Sequence, residues 1–163
     1  LQALPQILQK EPHALYIMVG KGEQFEKLKQ KAVDLGVRDK VLFFFDVTDE
    51  ELPVFYDLAQ VFIMPCREED LGDVEGFGIV FLEANSYSRP VIAGRSGGAV
   101  EAVVDGKTGL LVTPENTEEI ARAAVELLTD REKASQLGVQ GKERVQERFT
   151  WEKQAEKLIQ LLD

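Results

Sequence analysis

Residues 70–83 read DLGDVEGFGIVFLE, and the rest of the chain takes its meaning from them. An acidic, glycine-broken loop runs straight into an apolar helix start. Gly76 and Gly78 flank Phe77, so the backbone there can turn sharply and approach a ligand closely. A helix beginning near Ile79 leaves the amides of Gly78, Ile79 and Val80 without intrahelical partners. Such an end favours a phosphate or another anion. Glu75 stands in the loop. Glu83 lies one turn into the helix, roughly 6 Å along its axis at about 1.5 Å per residue. Two readings fit this spacing. One is a site with a sugar near Glu75, a diphosphate at the helix end and a second hydroxyl-rich ring near Glu83. The other is a capped helix whose carboxylate favours its dipole.

On either side of this stretch, short apolar runs alternate with helical patterns. Residues 14–19, 41–45, 61–64, 90–93 and 110–112 read as strands, the first of them more like a buried strand than a half-exposed one. Helices are expected over residues 1–11, 23–35, about 49–58, 78–87, 99–103, 117–128, 131–148 and 150–162. Gly36 is placed to end the second helix, Thr48 or Asp49 to cap the third, and Trp151 to pack the last one onto the body. This alternation predicts a parallel sheet with right-handed crossovers, whose ligands bind beyond the carboxyl ends of its strands. Four segments follow strand ends and should converge there: Gly20-Lys21, Phe45-Asp46-Val47, residues 66–77 and residues 94–98. The loop over residues 66–77 is longer than most strand-to-helix connections, and such loops are often functional.

The 163 residues are the size of one domain, and 44% of them are apolar, enough for a core. The net charge of −10 leaves no basic stripe for nucleic acid and no general attraction to an anionic membrane. A single cysteine, Cys66, excludes an internal disulfide and suits a reducing compartment. No apolar run is long enough to span a bilayer. The chain opens without Met and inside a helical pattern, as a piece of a longer protein would.

The other motifs are weak. Gly20-Lys21-Gly22 is an incomplete dinucleotide fingerprint, with Phe at position 25, and lacks the Walker lysine-hydroxyl pair. The lone His13 has no metal-ligating neighbour, and no base is placed to activate Cys66 or a serine. Glu68, Glu69, Asp70 and Asp73 read as a solvated loop rather than a cation site. Glu75 and Glu83 do not read as a glycosidase pair, since one lies in a loop and the other within a helix.

Taken together, EGFGIVFLEA at residues 75–84, the run from Arg89 to Pro114, LYIMVGKG at residues 15–22 and RFTWE at residues 148–152 form a specific pattern. It resembles the donor-binding domain of retaining glycosyltransferases of the two-domain GT-B fold, the large family of sucrose synthases, glycogen synthases and bacterial mannosyl- and glucosyltransferases. Its wording is especially similar to phosphatidylinositol mannosyltransferases. The resemblance runs over the whole chain. It implies an α/β, Rossmann-like three-layer domain with a parallel sheet, the C-terminal half of a GT-B fold. Residues 1–163 would form a single nucleotide-sugar donor-binding domain. The family's first strand, its diphosphate-clamping Arg and Lys, and the acceptor domain would lie before Leu1.

By the same resemblance, Glu75 lies beside the transferred sugar as the catalytic glutamate. The backbone at Gly76, Phe77 and Gly78 holds sugar hydroxyls, and the amides of Ile79 and Val80 meet the diphosphate. Glu83 accepts from the ribose, Phe45 and Val47 flank the base, and Gly20 lines the cleft. Two departures stand out. Asp46 replaces a common glycine, and Tyr87-Ser88 replaces a small Cys-Gly pair at the helix end. The implied activity is transfer of a hexose with retention from a UDP-, GDP- or ADP-linked sugar to a sugar or lipid acceptor. The nucleotide sugar is a substrate, and no cofactor or metal is required. A non-catalytic nucleotide-sugar-binding module and a GT-B epimerase are the alternatives. Use of nucleotide sugars implies a cytoplasmic location, with peripheral membrane association open for the full-length protein.

Overall fold

The computed structural model describes residues 1–67 and 76–160. Five strands and eight α-helices alternate along these residues. The first helix, α1 (Leu4–Lys10), leads to β1 (Tyr16–Val19), α2 (Phe25–Asp34), a 3-10 turn (Arg38–Lys40) and β2 (Val41–Phe44). Next come α3 (Leu52–Leu58), β3 (Phe62–Met64), α4 (Ile79–Ser86), β4 (Val91–Gly94), α5 (Ala99–Ala102) and β5 (Gly109–Val112). Three helices close the chain: α6 (Thr117–Thr129), α7 (Arg131–Arg148) and α8 (Trp151–Gln160).

Local chemistry accounts for the helix ends. Before α3, Thr48 and Glu51 exchange bonds: the Thr48 amide donates to Glu51 Oε2 at 3.0 Å, and the Glu51 amide donates to Thr48 Oγ1 at 3.3 Å. This is the reciprocal capping that a Thr-x-x-Glu spacing allows. Asn116 and Asp130 cap α6 and α7 by accepting from the amides of Glu119 and Lys133. Gly36, at a φ of 67°, terminates α2 as expected. The Gly36 amide reaches the Val33 carbonyl and the Val37 amide the Ala32 carbonyl, each at 2.9 Å. α4 ends the same way, but with Ser88 in the left-handed position at a φ of 56°.

All the strand pairs are parallel, as the alternation predicts. The fully buried β4 lies between β3 and β5. Side chains alternate across it: Val91 and Ala93 point to one core, and Ile92 to the other. The Ile92 core gathers α1, α2, α6 and the inward residues of β1 and β2. The Val91 core holds Tyr56 of α3, Phe81, Leu82 and Ala84 of α4, and Ala99 and Ala102 of α5. Two cores on opposite faces of the strands make the three-layer architecture that the sequence predicts.

The sheet itself differs from the expectation of one continuous layer. It is divided into β1–β2 and β3–β4–β5. β1 and β3 each pair on one side only, and Tyr16 and Ile63 line a common cavity of about 310 Å³ between them, together with residues of α1 and the start of α6. Trp151 is a second difference. It is 88% exposed, with Leu158 and Ile159 of the same helix 60% exposed, so it does not pack α8 onto the body. The expected final turn of α8 lies outside the described residues.

Candidate functional site

The Gly-Phe-Gly turn opens α4 as the sequence predicts. Gly78 is the residue before the helix and adopts the left-handed conformation, at φ 79° and ψ 56°. A β-carbon disfavours that conformation. Ile79 begins the helix and is 66% exposed, so its amide and that of Val80 stand at an accessible helix end with no side-chain cap. Phe77 turns inward, its ring 5.7 Å from that of Phe149 at the end of α7. The Arg144 guanidinium covers Phe149 at 4.7 Å and donates to the carbonyls of Ala102 and Glu101 at 2.6 and 2.7 Å. One arginine of α7 thereby ties the support of Phe77 to the end of α5.

The strand-end loops meet in two groups. Beyond β3 and β4, glycines permit contact of backbone with backbone. A β-carbon on Gly94 would lie 2.0 Å from the Cys66 carbonyl oxygen, and one on Gly98 would lie 1.9 Å from that of Gly76. Arg95 staples the same turn to β5, donating to Asp105 Oδ2 at 3.0 Å and to the Leu111 carbonyl at 3.1 Å. Burial pushes the Asp105 carboxyl up. The Leu111 amide, Arg95 and the Gly106 amide outweigh that burial and hold it below its ordinary value. Beyond β1 and β2, Gly20 takes a φ of 140° that glycine tolerates, and its amide donates to the Phe44 carbonyl at 3.1 Å. Lys21 pairs with Asp46 at 2.8 Å on the exposed surface.

Phe45 and Val47 line a cavity of about 380 Å³ with Phe44, Asp46, Glu51, Val54 and Phe55. Helix α3 joins this cavity to α4. Phe55 packs on Phe44, with ring centroids 4.9 Å apart. The next residue, Tyr56, donates its hydroxyl to Glu83 Oε2 at 2.8 Å. Burial first, then the bond to Glu83, pushes the Tyr56 phenol well above the usual tyrosine range, so it remains a donor. Glu83 is half-buried.

The structure therefore places Gly76, Phe77, Gly78, Ile79 and Val80 at the opening of α4, Glu83 one turn inside that helix, and Phe45 and Val47 at a cavity that α3 joins to α4. Gly20 lies beside that cavity's strand. Glu75 lies outside the described residues, as do Glu68, Glu69, Asp70 and Asp73. Among the described residues no group of three or more His, Cys, Asp and Glu side chains could hold a metal ion, and no helix is long and apolar enough to cross a membrane. Two supporting residues, Tyr56 and Arg144, carry no motif, and a third, Gly98, lies within the run from Arg89 to Pro114. Only Gly98 leaves a sequence signal, as the second of two adjacent glycines after a strand.

Comparison with known proteins identifies the chain's relatives. Residues 1–144 match the family described as "Glycosyl transferases group 1". The GDP-mannose-dependent alpha-(1-6)-phosphatidylinositol monomannoside mannosyltransferase of Mycobacterium tuberculosis is 46% identical over 161 residues, which cover 98% of this chain and 42% of the relative. Sucrose-phosphate synthase from Thermosynechococcus elongatus superimposes with a TM-score of 0.82 at 32% identity, over 99% of this chain and 41% of its own. The Anabaena protein HepE, in complex with UDP-glucose, gives a TM-score of 0.85 at 25% identity, over 99% of this chain and 44% of its own. The chain thus spans about two fifths of the length of these relatives. Its Rossmann-like architecture is the one found in these GT-B glycosyltransferases. A family match over residues 1–144 and a fold shared along nearly the whole chain agree, and the chain belongs to the group 1 glycosyl transferases.

Proposed function

We propose that this chain is the donor-binding half of a nucleotide-sugar-dependent hexosyltransferase. It transfers the sugar with retention to an acceptor held mainly by a domain outside this chain. The head of α4 carries the reading: a left-handed Gly78, an exposed start at Ile79 and a half-buried Glu83 one turn inside. The helix amides meet the diphosphate, and Glu83 accepts from the ribose. Phe45 and Val47 flank the base, and Gly20 lines the cleft. Glu75 orients the transferred sugar and does not attack it, while the backbone at Gly76, Phe77 and Gly78 holds sugar hydroxyls. The chemistry rests on positioning and on stabilising charge on the departing diphosphate, which helps to deprotonate the acceptor on the same face. Amides and basic side chains take the role a metal would otherwise fill. The mycobacterial relative, named for GDP-mannose and a phosphatidylinositol mannoside, favours a GDP-linked mannosyl donor and a lipid acceptor. HepE, with UDP-glucose, keeps UDP-sugars in question.

The break in the sheet fits the same reading. A strand preceding Leu1 in the full-length protein would pair with both β1 and β3 and close the sheet. The deciding experiment is a thermal-shift panel of GDP-mannose, UDP-glucose and ADP-glucose on the full-length protein. A shift with one donor, followed by transfer whose product keeps the donor's anomeric configuration by NMR, is the expected result. No shift and no transfer with any of the three refutes the proposal.

A further inference from the structure

Tyr56 is marked by no motif, yet its hydroxyl donates a hydrogen bond to the Glu83 carboxylate. Its ring is buried. It stacks on Tyr87 with centroids 5.5 Å apart and planes 17° apart, and tilts against Phe62 at 5.9 Å. Tyr87 is the residue that ends α4. Tyr56 therefore grips α4 twice, at the Glu83 carboxylate and at the helix's last turn. Phe55, its neighbour in α3, lines the cavity of Phe45 and Val47. The short helix α3 spans from that cavity to Glu83.

Resting on the donor-binding reading above, we infer that Tyr56 is a positioning residue for Glu83: its phenol fixes the carboxylate that receives the ribose of a nucleoside diphosphate and ties it to the wall of the base cavity. The terminal torsion of a glutamate is soft and two-fold. Left alone, it must be ordered when the ribose arrives, at a cost to affinity. The phenol removes that cost before binding. It donates a single bond, leaving Oε1 and one lone pair of Oε2 for the two ribose hydroxyls. Tyr87, stacked on the Tyr56 ring, braces the phenol in turn.

Tyr56→Phe removes one oxygen and keeps the stacked ring. The full-length protein and this variant are titrated by calorimetry with GDP, UDP and ADP, and with the 2′,3′-dideoxy form of each. For the nucleotide that binds, wild type should prefer the ribose form. Tyr56→Phe should lower affinity for that form by about 2- to 10-fold, the range expected for ordering one side chain, and leave the dideoxy form unchanged. The preference is a ratio taken within one variant, so a change in folded fraction cancels. Glu83→Ala should remove the preference altogether. Equal losses for both forms in Tyr56→Phe overturn the positioning role and leave Tyr56 a structural residue. A wild-type protein with no preference overturns the ribose role of Glu83 instead. A wild-type protein that binds none of the six overturns the donor-site reading itself.

Discussion

Gly98→Ala should injure the proposed donor site. Gly98 has a φ of −72° and a ψ of −7°, a conformation that alanine adopts freely. At such a position the substitution ordinarily stabilises by about 0.4–1 kcal/mol, by restricting the unfolded chain. Here the new β-carbon would lie 1.9 Å from the Gly76 oxygen, 2.6 Å from the Gly76 carbonyl carbon and 2.7 Å from Phe77 Cα. Real β-carbon contacts essentially never fall below 3.0 Å. The atoms in the way are backbone, so the turn must retreat by about 1 Å or more. The packing of Phe77 on Phe149, itself covered by Arg144, resists the retreat. Overpacking of this kind costs about 1–3 kcal/mol, which exceeds the gain. At about 2–4 °C per kcal/mol for a domain of this size, the melting temperature should fall by roughly 2–8 °C. A displacement of about 1 Å in a positioning element can cost about 100-fold, so kcat/KM for the nucleotide sugar should drop on that order in the full-length protein. Differential scanning calorimetry and initial rates read the two effects. An unchanged melting temperature would refute the close approach of the two backbones. A lowered one with unchanged kcat/KM would show that the Gly-Phe-Gly turn is no part of the donor site.

Three further substitutions test the frame around α4. Ser88→Gly should stabilise the protein by about 0.5–1 kcal/mol in urea denaturation, because relief of about 1–2 kcal/mol of left-handed strain exceeds the added chain entropy of glycine. A loss of stability would show that Ser88 is unstrained. Asn85→Ala should cost about 2–4 kcal/mol by the same assay: the buried amide donates to the carbonyls of Arg89 and Thr108 at 2.9 and 3.1 Å, and both bonds would be lost. Asp105→Asn should destabilise at neutral pH. The Asp105 carboxyl is held below its ordinary value, so its contribution is present above the unfolded pKa of about 3.9 and is lost as pH falls through the lower folded value. The gap between variant and wild type should therefore close below about pH 4 in melts across pH, and a gap constant with pH would exclude the ionised carboxylate as its cause.

The sequence carried the strands, the helix ends and the opening of α4 because each is a local effect. Apolar runs of four residues, a Thr-x-x-Glu spacing and a glycine after the last helical turn act within a few residues of themselves. What it did not carry is set by partners far along the chain. Whether β1 and β3 pair with each other depends on what lies between them, and neither run encodes that. Trp151 reads as a core residue by type, yet a residue's burial depends on which surface its helix meets, and Trp151 meets solvent. Gly98 read only as part of a segment after a strand end and of the run from Arg89 to Pro114, because close approach to Gly76 is a property of the fold. Tyr56 was silent for the same reason: its bond crosses from α3 to α4, 27 residues apart in sequence.

The glycines of α7 show why α4 can serve as a rigid platform. By sequence α7 is a polar surface helix with two interior glycines, each of which costs about 1 kcal/mol relative to alanine. Both sit against α4 and its final turn. A β-carbon on Gly138 would lie 2.0 Å from the Ser88 carbonyl oxygen, and one on Gly141 would lie 2.5 Å from Cγ and Nδ2 of Asn85. The helix propensity given up in α7 therefore lets it approach α4 closely enough to hold Asn85 in place, and Asn85 in turn joins the end of α4 to the turn before β5. Tyr56 grips the same helix from α3. A helix held on these sides cannot yield when an anion meets its first amides, so binding energy is not spent on arranging them. The exposed Ile79 end and the half-buried Glu83 are the two places on this platform to which the proposed function assigns a ligand, a diphosphate at one and ribose hydroxyls at the other.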